Sequence, residues 1–176
     1  MYLWVGCKLP EDFEREVRTH CLNLNKSIGL DTAAFELPQH ISLKISFQTE
    51  CPEAVLEDLE VFLSAQKLFA VQILDIEQNG HILWLTVAEN ETLNRLHREL
   101  DQHLERHFNI PQHEFDKCFK FHSTLFMDMH TEKAGQMRDA LADYPFARKL
   151  PVDTFLLGVS ENGRPGTYRI IRQIKV

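Results

Sequence analysis

Apolar residues recur along this chain in two series that follow the same order. Leu3-Trp4-Val5 opens one strand-like run and Leu83-Trp84-Leu85 opens another. Each run leads into a segment with helical period: Phe13, Val17, Cys21, Leu24 and Ile28 fall on one stripe, as do Leu93, Leu96, Leu100, Leu104 and Phe108. Pro10 suits the first position of the first helix, Glu11 and Asp12 suit its positive end, and Gly29 ends it. Next in each series come a short loop and a second strand, His40-Ile41-Ser42-Leu43 and His122-Ser123-Thr124-Leu125, 82 positions apart. Helical stretches at Pro52–Gln66 and Thr131–Tyr144 follow, then hairpins turning at Gln78-Asn79-Gly80 and Glu161-Asn162-Gly163. Asn-Gly is a strong tight-turn signal because both residues tolerate positive φ. Matching features recur at offsets of about 77 to 83 residues. The pattern predicts an α+β protein with two similar strand-and-helix lobes, residues 1–80 and 81–176, within a single domain.

Composition narrows the class. At 176 residues with 44% hydrophobic and 26% charged positions, the chain can bury a sizeable core, as one compact unit or two small lobes. No apolar run approaches the roughly 20 residues of a membrane span, and Met1-Tyr2-Leu3-Trp4 lacks the basic start of a signal peptide, so a cytoplasmic protein is expected. Cys7, Cys21, Cys51 and Cys118 are scattered without metal-type spacing and are expected to be reduced and mostly buried. A net charge of -7 argues against coating long nucleic acid, which needs a broad basic face. It leaves room for a small ligand or a strand end, since a few local cations can hold one phosphate.

The chemistry concentrates on the two histidine strands. Strict alternation puts His40, Ser42, Lys44 and Ser46 on one face, and Ile41, Leu43, Ile45 and Phe47 on the core face. In the second strand Phe121, Ser123, Leu125 and Met127 take the core side, while Cys118, Lys120, His122, Thr124, Phe126 and Asp128 point the other way. Each strand thus presents a histidine and a hydroxyl two residues apart. That pairing suits a phosphodiester: one imidazole removes a proton from the attacking oxygen, a protonated one donates to the leaving oxygen, and hydroxyls bond the non-bridging oxygens. A single HxS or HxT tripeptide is common by chance, but two copies in matched settings are not.

With His40-Ile41-Ser42-Leu43-Lys44-Ile45-Ser46-Phe47, His122-Ser123-Thr124-Leu125-Phe126 and the tail Gly166-Thr167-Tyr168, the chain resembles the two-histidine (2H) phosphoesterases. That group includes the bacterial 2'-5' RNA ligase-like and RNA 2',3'-cyclic phosphodiesterase proteins. The resemblance spans nearly the whole chain. It implies a bilobal fold, two antiparallel sheets with outer helices flanking a central cleft, and phosphoester chemistry without metal or other cofactor. His40, Ser42, His122 and Thr124 match its paired motifs.

Other residues are candidates for substrate contact. Lys44 shares the face of His40 and could neutralise a phosphate, or be a solvated strand lysine. Arg164 and Tyr168 follow the second hairpin turn, where they could reach a phosphate or stack on a base; Phe126 could be a stacking platform. His103 and His107 have a spacing that can hold a metal, with His113 nearby, but not in the HExxH arrangement, and are better taken as a solvated helix edge. A Cys118–His122 nucleophile pair is remote, and no glycine-rich phosphate loop is present. The expected protein is a monomeric enzyme that opens a 2',3'-cyclic phosphate or handles a 2'-5' phosphodiester on an RNA end or small nucleotide, away from membranes. The rivals are a noncatalytic module that binds nucleotides or RNA ends and, third, a metal-dependent hydrolase.

Overall fold

In the computed structural model, which describes residues 1–176, the first series folds into β1 (Tyr2–Lys8), α1 (Glu11–Ile28), β2 (His40–Gln48), α2 (Pro52–Ser64) and β3 (Phe69–Asn79). The second gives β4 (Ile82–Val87), α3 (Glu91–Phe108), β5 (His122–Met127), α4 (Thr131–Leu141), β6 (Arg148–Val152), β7 (Thr154–Ser160) and β8 (Arg169–Lys175). Helix ends follow local chemistry. Gly29 caps α1 in the left-handed region (φ 73°), its N–H bonding the Asn25 carbonyl, while Pro10 stands just outside the first turn. Leu24 and Ile28 are only partly buried. Asn25 takes the buried place instead, because its side chain both donates to and accepts from the Leu30 backbone at 2.9 and 2.8 Å. In α3 the predicted stripe holds: Leu93, Leu96, Leu100 and Leu104 are buried, each stabilising the fold by about 1.5–3 kcal/mol.

The strands form two antiparallel four-stranded sheets, β2-β1-β7-β8 and β5-β4-β3-β6, which makes the α+β, two-lobed architecture. The sheets do not follow the sequence halves. Residue 80 lies in the tight β3–β4 turn, where Gly80 has φ 60°, inside one sheet. β3 therefore joins strands of the second series, and β7 returns to flank β1 with β8 beyond it. Helices cross over as well: α3 packs on β2, α2 on β8, and α1 lies beside α4, which covers β3 and β4. One continuous apolar cluster runs through both sheets. No helix is long and apolar enough to cross a membrane.

The second Asn-Gly does not make a tight turn. Residues 161–168 form a longer loop in which Gly163 and Gly166 take positive φ (71° and 75°). The Asn162 side chain accepts from the Thr167 hydroxyl and the Arg164 N–H, tying the loop to itself. Cys7 and Cys21 are buried, and burial pushes the Cys21 thiol up to about 12, whereas Cys51 and Cys118 are exposed. Cys118 belongs to a 3-10 turn (Glu114–Cys118) before β5 rather than to its strand face.

Candidate functional site

His40 and His122 are the first residues of β2 and β5, and they are held in the same way. Each ring Nδ1 lies 2.7 Å from the carbonyl two residues upstream, that of Pro38 or of Lys120. A carbonyl only accepts, so each Nδ1 carries the hydrogen and each Nε2 is left for a ligand. His40, Ser42, His122 and Thr124 all line one cleft of about 380 Å³, together with Trp4, Ser46, Met127 and Tyr168. Gln39 ties the two strands together: it accepts from the Ser123 hydroxyl at 2.9 Å and donates to the Thr124 carbonyl at 3.3 Å.

A tryptophan stands against each histidine. The Trp4 and His40 ring centroids are 4.3 Å apart, as are those of Trp84 and His122. The Trp4 indole N–H also donates to Ser42 Oγ at 2.9 Å, which leaves the Ser42 hydroxyl hydrogen free to point at an anion. This placement depends on Gly6 and Gly158. A Cβ on either would lie 2.4 or 2.9 Å from a Trp4 ring carbon, so the indole rests directly on the sheet backbone. The Trp84 N–H is buried without a partner. The matched Leu-Trp pairs at positions 3–4 and 83–84 were the sequence signal for these residues; nothing in the sequence marked Gln39.

Lys44 and Phe126 are not in the cleft, contrary to the expectation from alternation. Along β1 and β2 the register steps from Gly6↔Ser42 to Val5↔Lys44, and along β4 and β5 from Trp84↔Thr124 to Leu83↔Phe126. Each histidine strand thus carries a bulge right after its hydroxyl residue, with Leu43 or Leu125 as the extra residue. A bulge breaks the two-residue period and turns two consecutive side chains to one side. Lys44 consequently points inward. It is 1% exposed, with Nζ 2.5 Å from Asp101 Oδ1 and 2.8 Å from Asp116 Oδ2. His97 joins the cluster: its ring nitrogens meet the Leu43 and Asp116 carbonyls at 2.6 and 2.9 Å, contacts that are both satisfied only if both nitrogens carry hydrogen. Phe126, fully buried, packs edge-on against Phe35 with centroids 5.2 Å apart. Met127, expected in the core, lines the cleft instead.

Tyr168 borders the cleft, with its hydroxyl buried toward Ser46 but closing no hydrogen bond. Arg164 is exposed and not among the lining residues, although its neighbours Gly163, Pro165 and Gly166 are. No lysine or arginine lines the cleft, and its only carboxylate is Asp31. Burial holds the His40 imidazole down at about 4, the Pro38 carbonyl offsetting part of that effect and the nearby His122 adding to it. His122 is also lowered, chiefly by burial; the Lys120 carbonyl and the Glu77 carboxylate pull it back up, while the Lys120 ammonium opposes them. Lys120 itself pairs with Glu77 at 2.6 Å. Both imidazoles are therefore neutral at pH 7, and an anion placed between them favours protonation of either.

A family model described as the 2'-5' RNA ligase superfamily matches residues 14–164, a span that includes both histidine motifs. Among solved structures, TT0787 of Thermus thermophilus is 20% identical over 99% of this chain and 97% of its own, with a TM-score of 0.69. E. coli LigT complexed with ATP is 18% identical over 99% and 96% (TM-score 0.59), and Kluyveromyces marxianus Usb1 is 10% identical over 99% and 98% (TM-score 0.52). Among curated proteins no sequence match is found.

Proposed function

The chain belongs to the 2'-5' RNA ligase superfamily, and from that premise we propose that it is a phosphoesterase acting on a 2',3'-cyclic phosphate or a 2'-5' phosphodiester of RNA or a nucleotide by histidine acid–base catalysis, with no metal taking part. The observation that carries this reading is the duplicated presentation: two imidazoles, each oriented through Nδ1, with both Nε2 atoms left for one cleft and a hydroxyl two residues from each. His40, the more strongly depressed of the two, takes the proton of the attacking water at Nε2. Water oxygen bonds to phosphorus, the bond from phosphorus to one ribose oxygen breaks, and His122 Nε2–H protonates that oxygen. Ser42 and Thr124 donate to the non-bridging oxygens, whose charge grows in the transition state. The bound phosphate supplies the anion that keeps His122 protonated. A cleft without lysine or arginine suits the single charge of a diester. LigT has been crystallised with ATP, 3'-AMP and NADP+, which supports a nucleotide-sized ligand for a cleft of this fold.

The test is turnover of a 2',3'-cyclic nucleotide with and without chelator. Turnover that survives chelation is expected, with His40→Ala and His122→Ala each losing about 10²- to 10⁴-fold and the double variant losing much less than the product. Full activity in either single variant excludes the pair. Binding without turnover identifies a nucleotide or RNA-end binding module instead, and turnover lost on chelation identifies a metal-dependent hydrolase.

A further inference from the structure

Away from the cleft, folding completes a donor set that the sequence shows only in part. His103 and His107 lie one turn apart on α3, their ring centroids 4.1 Å apart. Asp58 of α2, 45 positions before His103, brings one carboxylate oxygen into close contact with His103 Nε2 and the other to 3.4 Å from His107 Nδ1. Phe62, one turn further along α2, packs on the His103 ring with centroids 4.8 Å apart and fixes its plane. The three donor atoms all lie within 4.8 Å of one another. A tetrahedral ion with bonds of about 2.0–2.2 Å holds its donors roughly 3.3 Å apart, so a small adjustment of these partly exposed side chains seats one.

We propose that Asp58, His103 and His107 form a binding site for a divalent transition-metal ion of the zinc type. Two imidazoles and one carboxylate are donors that zinc, copper and nickel accept, whereas magnesium and calcium prefer oxygen alone. Their side chains are 30%, 19% and 41% exposed, which leaves a path for the ion and room for water as a further ligand. The second group of this kind, His97, Asp101 and Asp116, offers no such place because Lys44 Nζ already sits between its carboxylates. An ion at Asp58 clips α2 to α3, the two helices that pack on β8 and β2 of one sheet. None of the three ligands lines the cleft, so the site is structural.

Titrating chelator-stripped full-length protein with zinc chloride by calorimetry tests this. One equivalent should bind, and a hundredfold excess over Kd should raise Tm by about 5–10 °C. His103→Ala, His107→Ala and Asp58→Asn should each weaken binding by at least the roughly 10- to 100-fold that even outer-shell partners are worth. Circular dichroism of the metal-free variants checks that the fold persists. Because Cys51 and Cys118 are exposed, cobalt substitution supplies a second readout: nitrogen and oxygen ligands give d–d bands without thiolate-to-cobalt charge transfer. Stoichiometric zinc binding that persists in the His103→Ala/His107→Ala variant, a thiolate band removed by Cys51→Ser/Cys118→Ser, or wild-type binding no tighter than that of the double variant overturns the site.

Discussion

Replacing Lys44 by methionine keeps most of the side chain's volume and removes its charge. In the folded protein Nζ contacts Asp101 at 2.5 Å and Asp116 at 2.8 Å. Lys44→Met takes away the cation that sits between these two carboxylates, in a site almost without water. Removing one partner of a buried pair typically destabilises by about 3–5 kcal/mol. At about 2–4 °C per kcal/mol for a chain of this size, Tm should fall by roughly 6–20 °C. Adding Asp116→Asn should restore part of the loss, though not all, because Asp116 also accepts from the Ile45 and His113 N–H groups at 3.3 and 3.0 Å. Below the new Tm, kcat and KM for a 2',3'-cyclic nucleotide should stay close to wild type. Thermal unfolding and steady-state kinetics on the same samples decide the matter. An unchanged Tm with a KM that rises severalfold, and a defect that shrinks as salt is added, would place Lys44 on the substrate and refute its burial.

Three further outcomes are expected. Because His40 accepts a proton and His122 supplies one, kcat/KM should be highest on the acid side of neutrality and decline as pH rises past the lowered value of His122; His40→Ala should erase the acid limb, and activity climbing from pH 7 to 9 would contradict the roles. His40 goes from an ordinary 6.5 when unfolded to about 4 when folded, so the unfolded chain binds the extra proton between those values and stability falls as pH drops through that window. The loss is at most about 3 kcal/mol, trimmed by the ring's partial exposure to the cleft, and denaturant melts of wild type and His40→Asn should converge near pH 4. Gly6→Ala must push the Trp4 indole off the sheet and break its bond to Ser42, so tryptophan fluorescence should change and kcat fall further than in Trp4→Phe, which keeps the ring contact; wild-type kcat in Gly6→Ala would show that indole placement does not matter.

Much of this arrangement was legible in the residue order because period and punctuation are local. The leucine stripe of α3, the Gly29 cap and the Asn79-Gly80 turn are each decided by neighbours within a few positions, and all three appear where expected. The two histidine strands stood out for the same reason. What escaped depends on partners far away in the chain. The bulges after Ser42 and Thr124 arise from pairing with β1 and β4, and with them went the positions of Lys44, Phe126 and Met127. Nothing beside His97 or Asp101 in the chain signals that β2 meets them, with the buried Lys44 reaching Asp101 and the Leu43 carbonyl reaching His97. Asp58 gave no sign of the histidines it reaches on the next helix.

The interleaving of the sheets also bears on how the chain acquires its shape as it is made. The β5-β4-β3-β6 sheet uses only residues 69–152, a contiguous stretch that can assemble as soon as it leaves the ribosome. The other sheet is different: β1, which is made well over a hundred residues before β7, pairs with it on one side, Tyr2 lying opposite Ser160. Until those late strands arrive, β1 can pair only with β2, and one row of its backbone hydrogen-bonding groups stays open. Joining ends so far apart carries a loop-closure penalty that grows only logarithmically with length, but it delays the contacts that would reward it. The strand that carries Trp4 thus waits longer for its second partner than β3 or β4 does for its own, and the tryptophan becomes part of a finished cleft only after β7 has placed Gly158 beneath it.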